Sequence, residues 1–125
     1  MTSRVALAGL VALVFGAACQ PGAPQRCNTQ IDWVNFVEVG STQYVAGPQD
    51  ESVLQEGDLG AVYAHVKHRV SGNVCDPTYI LKDGDAAFLE PGTAIYQVKG
   101  YPPSQRLAAR FNGRIVLYRA ATPAA

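Results

Sequence analysis

The sequence predicts one small all-β domain, barrel-like or sandwich-like and antiparallel, following an N-terminal signal segment. Apolar, β-branched and aromatic residues recur in short runs cut by Gly, Pro, Asn and Asp, as strands separated by turns require. Within the runs the apolar spacing is near two, the period of a sheet with one face buried. The pair Asn112-Gly113 between two such runs is the dipeptide best suited to a two-residue type I′ hairpin turn.

The elements follow in order. Ile31 to Val39 is the first run, and Gly40-Ser41 turns it into Thr42 to Ala46, a hairpin pattern. Residues 47–57 read as a loop. Leu59 to Val70 alternates, with Val62, Ala64, Val66 and His68 on the core side and Tyr63, His65, Lys67 and Arg69 toward water. Residues 71–85 are turn-rich, with a short run at Tyr79 to Lys82. Ala86 to Leu89 and Ala94 to Lys99 are further strands around the Pro91-Gly92 turn. The last hairpin joins Arg106 to Phe111 and Arg114 to Arg119. Its turn fixes the register: Phe111 opposes Arg114, Ala109 opposes Val116 and Leu107 opposes Tyr118 on one apolar face. Trp33, Phe36, Tyr44, Phe88, Tyr96 and Phe111 are the aromatics expected to fill the core.

Residues 1–18 read as a signal peptide: Arg4, an apolar run from Val5 to Phe15, then the small residues Gly16, Ala17 and Ala18. The stretch from Val5 to Ala18 falls short of the roughly 20 residues a spanning helix needs. Cys19 stands where a bacterial lipoprotein signal places its lipidated cysteine. Two or more acyl chains, palmitate among them, would hold the chain stably on a membrane. Gly16 departs from the aliphatic residue such signals prefer three positions before the cysteine, and cleavage after Ala18 or Ala23 would instead release a secreted product. Residues 19–26 form a Pro/Gly-rich tether, 27–119 the globular domain and 120–125 a loose tail.

With Cys19 given to lipid, Cys27 and Cys75 remain in a compartment where disulfides persist, and they are expected to pair. On the chain-entropy model, closing that loop would stabilise the fold by about 4 kcal/mol.

Loss of Arg4 leaves nine Lys and Arg against ten Asp and Glu, a balance that carries no nucleic-acid signature. The charge is nevertheless segregated. Six acids and no base fall between residues 28 and 60, while five bases and no acid fall between 99 and 119. Opposed halves of this kind can face each other.

Residues 84–109, from Gly84-Asp-Ala-Ala-Phe through Pro91-Gly-Thr-Ala-Ile-Tyr-Gln-Val-Lys-Gly-Tyr-Pro-Pro to Ala109, together with Asp32-Trp-Val-Asn-Phe36, resemble a family of small bacterial exported proteins and lipoproteins. That family has no assigned activity. The resemblance implies an exported domain and carries over no site residue.

No motif asks for a cofactor or for catalysis. His65 and His68, three apart on a strand, fall on opposite faces and make a poor metal pair. Asp76, Asp83 and Asp85 could offer oxygens to calcium, but the full loop pattern is absent and Asp83-Gly84 is a common turn pair. None of Ser41, Ser52, Ser71 and Ser104 sits in a nucleophile elbow. An enzyme whose groups converge only in space, or a purely structural envelope protein, stays open.

A binding module fits best. Lys99-Gly-Tyr-Pro-Pro103 is a stiff aromatic loop, and Arg106 and Arg110 follow it. Lys99, Tyr101, Arg106 and Arg110 are therefore the candidate contact residues for an envelope polymer or a protein partner. Alternatively, Tyr101 packs under the sheet and the arginines only balance the acidic half.

Overall fold

A computed structural model describes residues 31–121. Eight strands form one curled sheet, a half-barrel: β1 (Asn35–Val39), β2 (Thr42–Ala46), β3 (Leu59–His65), β4 (His68–Arg69), β5 (Asp85–Ala86), β6 (Ala94–Val98), β7 (Arg106–Phe111) and β8 (Arg114–Ala120). Their spatial order is β3-β6-β7-β8-β2-β1-β5-β4. The predicted all-β class is correct.

The β7–β8 hairpin has the predicted register, Phe111↔Arg114, Ala109↔Val116 and Leu107↔Tyr118. Asn112 and Gly113 both take positive φ, 52° and 75°, as a type I′ turn demands. The β8 strand runs one residue further than expected. Ala120 belongs to it, and Ala121 donates its N–H to the Gln43 carbonyl, so the tail begins later than position 120.

Alternation sorts each strand into two faces. Inward lie Val37, Tyr44, Ala46, Ile95, Leu107, Ala109, Val116 and Tyr118, which with Val66, Ala86 and Leu89 make the barrel core. The other face is not given over to water. Ala108, Leu117 and Val98 are buried there beneath Leu54 and Leu59. Phe36, Val70 and Ala87 are buried beside Trp33, Val74, Tyr79 and Leu81. Two loops, 47–58 with its short 3-10 turns and the turn-rich 71–82, thus cap satellite cores outside the barrel. Of the expected core aromatics, Phe36 and Tyr44 are fully buried, while Trp33, Tyr96, Phe88 and Phe111 are half-buried.

Residues 59–70 depart from the expected single strand. Register shifts between Leu59 and Val62 and between Val62 and Ala64 break the alternation, leaving Val62 48% exposed. His68, expected on the core side, is exposed. At Val66 and Lys67 the segment changes partner. Val66 donates to the Thr93 carbonyl and accepts from Gly92, beyond the β3–β6 ladder. Lys67 and His68 then donate to the Gly84 carbonyl, leading into β4–β5. The two ends of the strand order are therefore consecutive stretches of one segment.

This closure corrects the purely antiparallel expectation. Counting β3 and β4 as one stretch, seven stretches make the ring, and a ring with an odd number of alternating directions must contain one parallel pair. That pair is β4–β5. No strand forms at Tyr79 to Lys82, and the run expected at 86–89 is a strand only at Asp85–Ala86.

Candidate functional site

The acidic and basic halves meet across the outer face. Loop 47–58 lies over β7 and β8, and its carboxylates take their arginines one by one. Arg110 grips Glu56 with contacts of 2.6, 2.9 and 3.3 Å and donates to the Tyr96 hydroxyl at 2.8 Å. Those partners raise the Arg110 pKa. Arg114 reaches Glu51 at 3.1 Å. Arg119 reaches Asp50 at 3.0 Å, a fully buried carboxylate that also accepts the Gly47 N–H and so closes the first 3-10 turn. The remaining pair, Arg69 with Glu90, lies elsewhere.

Among the described residues one arginine of five has no carboxylate. Arg106 instead lies over the Tyr101 ring, 4.1 Å from its centroid, an attractive arrangement for a guanidinium. Tyr101 is 44% exposed. Lys99, close by in the same loop, is exposed and also lacks a carboxylate partner among the described residues.

The loop carrying them is held firmly. Gly100 takes φ 89°, and Tyr101 donates its N–H to the Val98 carbonyl. Lys99 donates to the Asp58 carbonyl, and Gln105 and Arg106 both donate to that of Pro102. From behind, the buried Tyr44 donates its hydroxyl to the Pro103 carbonyl at 2.9 Å. Tyr101 and Arg106 thus meet where this hydrogen-bonded turn enters β7, with Lys99 exposed at the start of the same turn, and Arg110 does not join them because Glu56 and Tyr96 hold it. The charge segregation in the sequence signals the pairing; which arginine escapes it depends on where loop 47–58 lies.

A second cluster gathers Asp85 and His68, which the sequence offered only as separate candidate ligands. Asp85 is fully buried under the 71–82 loop. Its Oδ2 accepts the Tyr79 hydroxyl and the Lys82 N–H, each at 2.8 Å, while Oδ1 faces His68 Nδ1 at 3.3 Å. Glu38 is buried nearby. Loss of solvent, then the charges of Asp85 and Asp83, raise its pKa. Asp83 itself is held low by Lys67 Nζ and the Gly40 N–H, and Asp76 by its Asx-turn bonds to Thr78. The three aspartates thus serve separate turns. No set of three or more His, Cys, Asp or Glu among the described residues is arranged to hold a metal ion.

Comparison with family models, curated proteins and solved structures finds no match. The geometry alone therefore guides the functional reading. Cys75 is half-buried in the 71–82 loop, whereas Cys19 and Cys27 lie outside the described residues. So do the signal segment, the tether and residues 122–125. Among the described residues no helix is long and apolar enough to cross a membrane.

Proposed function

We propose that this is an exported protein, anchored by lipid on Cys19 to the extracytoplasmic face of a bacterial membrane. Its domain is a non-catalytic binding module that takes an anionic envelope polymer or an anionic partner on Lys99, Tyr101 and Arg106. One observation carries the binding assignment. The other four described arginines are neutralised by carboxylates, and Arg106 is stacked on an exposed tyrosine with its donors uncommitted to any acid. Stacking fixes the guanidinium plane and leaves its edge for a bidentate phosphate or carboxylate contact. The expected Cys27–Cys75 bridge belongs to this reading. The bridge would pin the tether to the domain.

Titration with short-chain polyphosphate and with polygalacturonate should reveal binding to at least one of them. Arg106→Ala should weaken it about 10- to 100-fold, the worth of a charge-assisted bidentate contact. Arg114→Ala, which removes an already neutralised cation, should change it little. Equal losses in both variants, or no binding to either polyanion, would exclude the patch. The anchor is tested separately by intact mass and membrane partitioning. The native chain should carry an acyl mass that Cys19→Ala lacks, and unmodified native protein in the soluble fraction would refute lipidation.

A further inference from the structure

The tip of the β7–β8 hairpin and loop 47–58 enclose a groove of about 460 Å³, within the size range of small-molecule sites. We infer that this groove is a second binding site, for a neutral saccharide unit. Leu54 and Ile115 give it an apolar floor, and its walls are the ion pairs Arg110–Glu56 and Arg114–Glu51.

The state of those charges selects the ligand class. Each guanidinium already faces a carboxylate, so a charged ligand would have to compete with a partner already in place, at exposed pairs whose net charge is near zero. A neutral polyhydroxy ligand meets no such obstacle. A paired guanidinium and carboxylate set donors beside acceptors, which suits adjacent sugar hydroxyls that each donate and accept. The C–H face of a pyranose would rest on Leu54 and Ile115, removing apolar surface from water on both sides. A peptide fits less well, because these walls are charged side chains and not the free backbone ladder an extended peptide pairs with.

The site is separate from the Tyr101 patch, and its test does not depend on that proposal. Saturation-transfer NMR on the purified full chain, with maltotriose, cellotriose and chitotriose as probes, should show transfer to the C–H protons of at least one. Ile115→Arg, which fills the floor, should abolish it, and Arg114→Ala should weaken it about tenfold. Lys82→Ala, on another loop, should leave it unchanged. Circular dichroism checks that each variant is folded. Absence of transfer to all three probes would overturn the inference. So would transfer that persists in folded Ile115→Arg, or displacement of the sugar signal by glutamate or a tripeptide at or below the sugar's own concentration.

Discussion

Tyr118→Ala should destabilise the domain by about 3–5 kcal/mol, the usual cost of emptying a large buried aromatic site. Tyr118 has no exposure and is the largest wholly buried side chain of the described residues. Burial raises its pKa, and its hydroxyl donates to Asn35 Oδ1 at 3.0 Å across 83 positions of sequence. The ring therefore fills the barrel core from β8 while its tip fastens the start of β1. Tyr118→Phe separates the two contributions and should cost only about 1 kcal/mol, the net value of one hydrogen bond. Urea unfolding measures both. A loss below about 1 kcal/mol for the alanine variant would show that the interior can collapse around the gap.

Gly84→Ala should cost about 2–4 kcal/mol although it adds a single methyl. Gly84 takes φ 89°, where an L-residue is strained by about 1–2 kcal/mol. The added Cβ would stand 2.5 Å from Lys67 Cγ and 2.7 Å from Lys67 Cβ. The latter is the fixed root of the side chain, so the backbone must move, an overpacking cost of about 1–3 kcal/mol. The residue is also a junction: it donates to the Glu38 carbonyl and accepts from Lys67 and His68. Thermal unfolding should show a drop of roughly 10–25 °C for a domain of this size, with hydrogen exchange accelerated first at Lys67 and His68. A Gly84→Ala protein as stable as the parent would mean that the junction is slack.

What was legible in the sequence was local. The last hairpin and its register followed from Asn112-Gly113 and alternating apolar residues, because a two-residue turn leaves the register no freedom. Segregated charge indicated arginine–carboxylate pairing, and three such pairs join loop 47–58 to β7 and β8. The non-local features were hidden. Ala108 and Leu117 alternate as though facing water, yet a loop whose path no period encodes covers them. The run from Leu59 to Val70 looked like one uniform strand because its composition does not record that its halves pair with β6 and β5. Arg106 and Arg110 were alike in sequence, and only the position of Glu56 distinguishes them. Asp85 read as a turn residue or an exposed oxygen donor, because nothing local in the sequence encodes that the Tyr79 hydroxyl closes over it and buries it.

The segment that pairs at both ends of the strand order also bears on how the chain folds. Residues 59–69 find their backbone partners at 84–86 and 92–98, so neither ladder can form until a chain emerging from its N-terminus has delivered those later residues. Until then the β1–β2 hairpin can assemble alone, while Ala61, Val62 and Tyr63 wait beside it without a sheet to join. Closure then adds both ladders through one segment, a non-local step of the kind that slows folding. The interval before closure is when this uncharged stretch is most open to pairing with another copy.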